Sequence, residues 1–339
     1  AIGQIEIAVK RFWADLGKVF PHPSMSDMGL VMGNNEVIHN LAYEKLLDVL
    51  QLQNAFDEAL KEPVIKGRVE YLRKYLDKVY EDDRKQFIYA LVLFTLFVEN
   101  VSLFGQFYTI MHFNRFKGVL KDTAQQVQYT RNEETLHAKA GILLIKTLRE
   151  EYPQYFDEEL ESRISEECYN AVEYENNIIQ WMLRGYEGDA LSEGILKAFI
   201  KNRLNQSMKE AGFTPLQLTQ KEKAYILGKQ IDDIIATLFR QTMFAEYEHI
   251  MHTIAENGEP ITVDVMRGEY RKLLEQYFGE NVELLDISDM EGLRIPHFYS
   301  SYYVYKYATG ISAAIALSKK VLNGNENDLN QYMSFLKSG

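Results

Sequence analysis

The sequence predicts an all-α protein. Apolar residues recur at three- and four-residue spacing along most of the chain, alternating strand patterns are essentially absent, and proline or glycine marks the ends of several periodic stretches. The chain has 339 residues, of which 46% are hydrophobic. It is therefore long enough for two domains or one large one, with a sizeable core.

The first two thirds of the chain contain eight predicted helices. The first, residues 2–20, has an apolar stripe and is ended by Pro21 and Pro23. A loop rich in methionine, serine and glycine should extend to about Asn34. Further helices are predicted over residues 35–50, 52–62, 64–80, 83–113, 122–151, 157–185 and 192–211. Gly212 should end the last of these as a C-terminal cap.

The remaining third changes character from about Thr219. Long helices are predicted over residues 219–257 and 263–278, with a turn between them. A tyrosine-dense stretch, residues 295–310, precedes two closing helices over 311–322 and 326–337. No internal repeat is evident.

Composition excludes several classes of function. The net charge is −12 and no basic cluster occurs, which argues against a nucleic-acid partner. Cys168 is the single cysteine, so no internal disulfide can form, as in a reducing cytoplasm. The apolar run from Tyr89 to Val98 is too short to span a bilayer and no signal peptide is visible, so we expect a cytoplasmic protein without a membrane partner.

Two Glu-x-x-His motifs suggest a metal site. Glu36 precedes His39, and Glu134 precedes His137, by three residues, which places each pair on one helix face. One such motif arises easily by chance. Two of them, together with a lone glutamate from each of two other helices, form the inward-facing ligand set of the di-iron and di-manganese carboxylate bundles.

Two lone glutamates complete this set. Glu99 lies in the middle of the most apolar predicted helix, where an ionised carboxylate is costly to bury without a partner. A metal cation is one such partner, and the alternative is a protonated or arginine-paired structural glutamate. Glu6 lies beside the apolar stripe of the first helix.

The six candidate ligands are four carboxylates and two imidazoles on four helices. Oxygen and nitrogen donors of this kind suit Fe or Mn, and the absence of thiolates argues against a structural zinc site. Two such ions would activate O₂ or a reduced oxygen species. A structural or storage metal site is the alternative.

Tyr43 bears on that choice. It follows His39 by four residues and so lies on the same helical face. A phenol beside an oxidised metal pair in a dry pocket can become a persistent radical, and Leu103 and Phe107 are candidates for its apolar wall. The alternative is an ordinary core tyrosine, one of 22 in the chain.

Residues 1 to about 213 resemble the small, radical-generating subunit of class I ribonucleotide reductase. The matching stretches are residues 35–50 (NEVIHNLAYEKLLDVL), 96–107 (LFVENVSLFGQF), 131–141 (RNEETLHAKAG), 150–159 (EEYPQYFDEE) and 197–213 (KAFIKNRLNQSMKEAGF). The resemblance implies a ferritin-like bundle that holds two Fe or Mn ions. It also implies a homodimer that makes a radical for a large subunit, which then reduces ribonucleotides to deoxyribonucleotides.

Carried over by position, the resemblance implies metal ligands at Glu6, Glu36, His39, Glu99, Glu134 and His137, and the radical tyrosine at Tyr43. Glu6 is the one acid in the window where the family's first ligand falls. The chain departs from the family at both ends. It lacks the family's preceding helices with a radical-transfer tryptophan, and nothing after Phe213 resembles the family's flexible docking tail.

Residues from about 219 to 339 instead resemble the C-terminal part of oligoendopeptidase F, a zinc metallopeptidase. The matching stretches are residues 239–246 (FRQTMFAE), 295–317 (IPHFYSSYYVYKYATGISAAIAL) and 332–339 (YMSFLKSG). The resemblance implies that His297 and Tyr302 line the substrate cleft and help to stabilise the tetrahedral intermediate.

The zinc motif His-Glu-x-x-His does not occur, because no histidine in the chain is followed by glutamate. His249 and His252 lack the spacing and the general-base glutamate. We therefore expect neither a zinc site nor peptidase activity. The chain reads as a join of two partial proteins near residues 213–219. Four functions stay open: a ribonucleotide reductase small subunit, a bundle oxidase without a radical, a catalytically silent chimera and a peptidase fragment.

Overall fold

The computed structural model describes residues 10–20, 22–76, 84–188 and 190–338, with the side chains of residues 71–76 excepted. The chain divides into two compact units, residues 1–226 and residues 227–339. The described residues are mostly helical and contain no strand, only an isolated bridge between Gly188 and Leu191. The prediction of an all-α fold is confirmed.

Unit 1, residues 1–226, is a helical bundle. Residues 10–14 are helical. The following helices are α1 (Leu16–Val19), α2 (Pro23–Val49), α3 (Gln53–Ala59), α4 (Pro63–Leu76), α5 (Arg84–Leu93), α6 (Phe104–Lys117), α7 (Lys121–Glu151), α8 (Glu158–Leu183) and α9 (Glu193–Glu210). Between α5 and α6 lies a nine-residue π-helix, Phe94–Ser102, which we call the π segment. Helix α10 (Gln220–Ile234) crosses the division between the units.

The π segment is the centre of unit 1. All nine of its residues are buried, and it packs against α7 on one side and α9 on another. Helix α2 also packs on α7. Helices α2 and α7 carry the two Glu-x-x-His motifs, and the π segment carries Glu99. These three elements are therefore neighbours in the fold, although up to about 100 residues separate them along the sequence.

The N-terminal boundary of α2 differs from the prediction. The expected loop to about Asn34 does not form, and the helix begins at Pro23. Proline suits the first helical position because its missing N–H would have no partner there, and His22 caps the turn by accepting a hydrogen bond from Ser24 N at 3.2 Å. Pro23 therefore starts a helix.

Other predicted boundaries in unit 1 are close to the structure, with one difference in the type of helix. The apolar helix predicted over residues 83–113 is interrupted by the π segment. Helix α9 ends as predicted at Gly212, whose φ is +84°. Hydrogen bonds from Gly212 N to Lys209 O and from Phe213 N to Met208 O form a Schellman motif.

The run from Arg84 to Lys117 is long and apolar enough to cross a membrane by length and composition. Its apolar window is completely buried inside the fold. This burial is typical of a core helix, because its apolar surface is already covered by protein.

Unit 2, residues 227–339, is also helical. It contains a short π-helix (Ile235–Phe239), α11 (Arg240–Glu256), α12 (Val263–Phe278), α13 (Tyr305–Asn323), α14 (Glu326–Lys337) and two 3₁₀ turns, Ser288–Leu293 and Pro296–Tyr299. The predicted helix over 311–322 starts earlier, at Tyr305. Its small core consists of Met243, Phe244, Tyr247, Tyr270, Leu273, Leu274, Ile295 and Val304.

Candidate metal centre

Four predicted ligands meet in the interior of unit 1. Glu36 lies on α2, Glu99 on the π segment, and Glu134 and His137 on α7. All four are buried, and each offers a ligand atom within 4.8 Å of the others. His137 Nδ1 is 2.8 Å from Glu36 Oε1, 3.5 Å from Glu134 Oε2 and 3.7 Å from Glu99 Oε2.

A close approach of two helices aligns Glu99 with His137. Gly141 follows His137 by one turn of α7, and Thr95 precedes Glu99 by four residues on the π segment. A Cβ atom at Gly141 would lie only 2.4 Å from Thr95 Oγ1. Glycine at position 141 therefore allows the π segment to approach α7 closely enough for the two ligands to meet.

His39 is held from the opposite side by a residue that the motif analysis did not single out. Its Nε2 atom lies 2.5 Å from Glu133 Oε2, and its Nδ1 atom faces Glu36 Oε2 at 3.2 Å and Glu134 Oε1 at 3.4 Å. Metal-binding histidines usually donate their second ring N–H to such a carboxylate, which fixes tautomer and ring orientation. Glu133 is suited to that role, with Nδ1 left to face the cluster.

Trp13 is the second neighbour that sequence reasoning missed. It is completely buried, and its Nε1–H donates a 2.6 Å hydrogen bond to Glu99 Oε1. The indole also lies beside His137, with ring centroids 6.1 Å apart. Gly29 on α2 permits this placement, because a Cβ there would lie 2.2 Å from the Trp13 carbonyl oxygen.

The charges of the cluster are strongly coupled. Burial, followed by the negative charge of Glu134, raises the pKa of Glu99 well above its usual range. Burial also raises the pKa of Glu134, but hydrogen bonds with His137 and His39 outweigh it and lower the pKa overall. Burial lowers the pKa of His137, yet Glu134, Glu36 and Glu99 outweigh it and raise the pKa to about 12. Protons therefore offset the carboxylate charge in the metal-free cluster.

The donor set fits transition-metal ions. Three carboxylates and two imidazoles are hard and borderline donors of the kind that Fe and Mn accept. Glu99 Oε2 and His137 Nε2 are buried and make no hydrogen bond among the described residues. Orphaned polar atoms of this kind are rare in protein interiors and need an explanation, which a cation in the cluster supplies.

Tyr43 lies near this cluster along α2. It is buried, with 7% of its surface exposed, and its Oη donates a 3.1 Å hydrogen bond to Thr130 Oγ1. Thr130 is on α7, four residues before Glu134. Leu103 and Phe107, predicted as an apolar wall, are also buried. The phenol of Tyr43 is therefore buried and hydrogen-bonded.

The sixth predicted ligand, Glu6, lies outside the described residues. Two signals in the sequence could have found the missed neighbours. Glu133 directly precedes Glu134 in the second Glu-x-x-His motif, and Trp13 is one of only two tryptophans, on the apolar stripe of the first predicted helix.

The candidate residues of unit 2 do not converge in the same way. His297 is exposed and stacks on Tyr303, with ring centroids 5.6 Å apart. Tyr302 is 45% exposed, stacks on His252, and has a φ of +56°. Its backbone N–H donates a 2.5 Å hydrogen bond to the buried Glu248. The Tyr302 contacts hold a tight backbone turn.

Comparison with known proteins separates the two parts of the chain. The family model for peptidase family M3 matches residues 208–339. An oligoendopeptidase F homolog from Borreliella burgdorferi is 39% identical over 145 residues, which cover 43% of this chain and 25% of that protein. Oligopeptidase PepF from Bacillus subtilis is 45% identical over 120 residues, covering 35% and 18%. The chain thus spans a quarter or less of the length of these peptidases.

The first part matches a different family. A protein of Invertebrate iridescent virus 3 named as a probable ribonucleoside-diphosphate reductase small subunit is 24% identical over 229 residues, covering 63% of this chain and 60% of that protein. Among solved structures, a ribonucleotide reductase subunit from Clostridium botulinum aligns with a TM-score of 0.55 and 19% identity, covering 67% of this chain and 75% of that one.

A structure from Bacillus halodurans described as a class I ribonucleotide reductase aligns with a TM-score of 0.58 and 18% identity, covering 63% and 78%. These alignments confirm the ferritin-like fold of the first part. The family model for the ribonucleotide reductase small chain matches residues 1–223, about two thirds of the sequence. Both predicted resemblances are therefore confirmed, and the chain belongs to the ribonucleotide reductase small-chain family.

Proposed function

We propose that residues 1–213 generate a radical at Tyr43 for ribonucleotide reduction, as an oxidoreductase subunit. The observation that carries this proposal is the convergence of Glu36, Glu99, Glu134 and His137 from three separate helical elements into one buried cluster. Family membership supports the same reading. Residues 219–339 form a second domain of peptidase type in this proposal.

Some of the described residues would bind the two ions, and others would position those ligands. Glu36, Glu99, Glu134, His39 and His137 would be ligands, and Glu6 is proposed as the sixth. Glu133 orients His39, and Trp13 holds one oxygen of Glu99 so that the other faces the cluster. A pair of Fe or Mn ions would supply the redox chemistry that activates O₂ or a reduced oxygen species. Metal loading would release the protons that the cluster shares, because ligands must be deprotonated.

Tyr43 is positioned to be the oxidised group. A bound metal pair would supply the one-electron oxidant for Tyr43, whose phenol would give up one electron and the proton on Oη. Thr130 holds the Oη–H beforehand, and Thr130 Oγ1 itself lies 3.3 Å from Gln126 O as a hydrogen-bond donor. Burial excludes water from the ring, which protects a radical from quenching.

The proposed partners follow from the family. A large subunit that binds ribonucleotides would take the oxidising equivalent from Tyr43, and two copies of this chain would form a homodimer. A cytoplasmic site of action fits deoxyribonucleotide synthesis. No peptidase activity is proposed for residues 219–339, because the sequence has no His-Glu-x-x-His motif.

Electron paramagnetic resonance tests the radical. Protein loaded anaerobically with Fe(II) or Mn(II) and then oxidised should bind about two ions per chain and give a tyrosyl signal. Tyr43→Phe should bind the same metal and lose the signal. Tyr89→Phe is the matched control, because Tyr89 is an equally buried tyrosine of unit 1.

Three outcomes separate the alternatives. A tyrosyl signal that survives in Tyr43→Phe would show that another tyrosine carries it. Two bound ions without any radical would favour a bundle oxidase, and a radical without turnover beside a large subunit would favour a silent chimera. Chelator-sensitive cleavage of a fluorogenic peptide would instead contradict the absence of peptidase activity.

A further inference from the structure

Polar side chains, some within the π segment and some from other parts of unit 1, hold carbonyl groups of the π segment. A π-helix is rare and usually limited to a single turn, whereas the π segment is nine residues long. Asn100 Nδ2 donates a 2.8 Å hydrogen bond to Thr95 O, four residues before Glu99. Arg203 Nε, from α9, donates a 2.9 Å hydrogen bond to Asn100 O, one residue after Glu99.

Arg203 is held in this position by packing on an aromatic ring. Its guanidinium carbon lies 3.5 Å from the centroid of the Phe104 ring, at the first residue of α6. Burial, followed by repulsion from Arg131, lowers the pKa of Arg203 to about 10, so the side chain stays charged at neutral pH. A charged donor to a backbone carbonyl makes a stronger hydrogen bond than a neutral one.

A second arginine acts at the C-terminal end of the π segment. With its amide nitrogen facing the backbone, Gln106 donates to Ser102 O and Leu103 O, both at 3.0 Å, and its amide oxygen accepts from Arg68 Nη1 at 2.9 Å. Arg68 is buried and its Nε pairs with Glu175 Oε1 at 2.9 Å. The Arg68–Glu175 pair therefore anchors Gln106 against the end of the π segment.

We propose that Arg203 and Arg68 are positioning residues for the metal ligand Glu99, acting on the backbone of the π segment. This proposal rests on the proposed metal site. Relaxation of a π turn toward an α turn rotates the side chains that follow by about 100° for each residue taken out of register. Such a rotation would turn Glu99 away from Glu134 and His137. Arg203 directly, and Arg68 through Gln106, prevent it by satisfying carbonyls that a regular α-helix would bond internally.

Arg203→Met tests the proposal, with Arg149→Met as the matched control. Arg149 is also a part-buried arginine of unit 1, with its guanidinium 4.6 Å from the Phe213 ring centroid. It lies 12 residues beyond His137 on α7, about 18 Å along the helix. Loss of the guanidinium packing is thus common to both variants, and loss of the π-segment contact belongs to Arg203→Met alone.

Two measurements are made on the metal-free protein. Calorimetric titration with Mn(II) should show that Arg203→Met binds about 10- to 100-fold more weakly than wild type, the usual effect of losing an outer-shell partner. Hydrogen exchange should accelerate in peptides that cover residues 94–102. Arg149→Met should change neither, and Arg203→Lys, which keeps a charged donor, should recover most of the affinity.

Equal Mn(II) affinity in Arg203→Met and Arg149→Met, with unchanged exchange over residues 94–102, would overturn the positioning role. If Arg203→Met does not fold, Mn(II) affinity and hydrogen exchange are measured on Arg203→Lys and Gln106→Met instead, and these two variants decide whether the positioning role holds. A wild-type protein that binds no Mn(II) would contradict the proposed metal site instead. Hydrogen exchange over residues 94–102 would then be the remaining test of the arginine contacts.

Discussion

The two units differ in whether the functional residues that their family resemblance implies come together in the structure. In unit 1 four of the six predicted donor side chains, Glu36, Glu99, Glu134 and His137, are buried together. In unit 2 the zinc motif does not occur in the sequence, His297 is exposed, and Tyr299 has 95% of its surface exposed. Both units match a family, yet among the described residues a buried group of candidate metal ligands occurs in the first alone. Similarity of sequence therefore establishes a fold, whereas convergence of side chains supports a function.

Removal of a central ligand should give the largest effect. We expect His137→Ala to lose at least one of two bound metal ions and more than ~100-fold in affinity, beyond the loss from an outer-shell change. His252→Ala in unit 2 should leave metal binding unchanged. Elemental analysis after Fe(II) or Mn(II) loading measures both. Equal metal content in the two variants would contradict the assignment of the metal site to unit 1.

Gly141→Ala should have the next largest effect. The new Cβ would lie 2.4 Å from Thr95 Oγ1, so the π segment must shift and Glu99 with it. Overpacking of this kind typically costs ~1–3 kcal/mol of stability, and metal affinity should fall as well. Thermal unfolding and Mn(II) titration check the two effects.

Gly105→Ala is the control for Gly141→Ala. It is also a helical glycine of unit 1, but its nearest neighbour would be 3.8 Å away. The alanine should stabilise its helix slightly, by up to ~1 kcal/mol, because glycine is a poor helix former. The same loss of Mn(II) affinity in both variants would show that the close approach of α7 and the π segment is unimportant.

Trp13→Phe should have a smaller effect on the site. It removes the Nε1–H that donates to Glu99 Oε1 but keeps an aromatic ring. We expect Mn(II) affinity to fall about tenfold, as for other partners of metal ligands. Trp181→Phe, the other tryptophan, should leave the affinity unchanged. A wild-type affinity in Trp13→Phe would mean that Glu99 needs no donor to hold it.

The last prediction concerns stability alone and leaves the metal site unchanged. Burial raises the pKa of Glu175 to about 7, although Arg68 opposes the shift. The folded state then binds more protons than the unfolded state between the ordinary glutamate pKa and about 7, so this group lowers stability as pH rises through that window. Relative to Glu175→Gln, wild type should lose unfolding free energy across it, by at most ~1.4 kcal/mol per pH unit. Urea unfolding at several pH values measures the difference, and parallel curves would contradict it.

Much of the fold follows from local patterns in the sequence. The α-helical periodicity predicted nearly every helix, and Gly212 predicted the end of α9. The predicted start of α2 was wrong, because a proline such as Pro23 can begin a helix as well as end one. The π segment has the same apolar composition as an α-helix, so its register depends on tertiary contacts such as that of Arg203 with Asn100.

The site was predictable to the extent that its residues form motifs. Glu36, Glu99, Glu134 and His137 were selected from spacing and burial, and the structure brings them together. Trp13 was not, because its partner Glu99 is 86 residues away and no local pattern marks a hydrogen bond of that range. Glu133 was missed because it looks like a solvent-facing residue, and 47% of its side chain is indeed exposed.

Anomalous scattering from crystals loaded with Mn or Fe tests the central claim most directly. We expect two peaks per chain, bounded by Glu36, Glu99, Glu134 and His137, with His39 at the edge nearest Glu133. Absence of any peak there, or a single metal bound only by residues of unit 2, would contradict the assignment of a dinuclear carboxylate centre to unit 1.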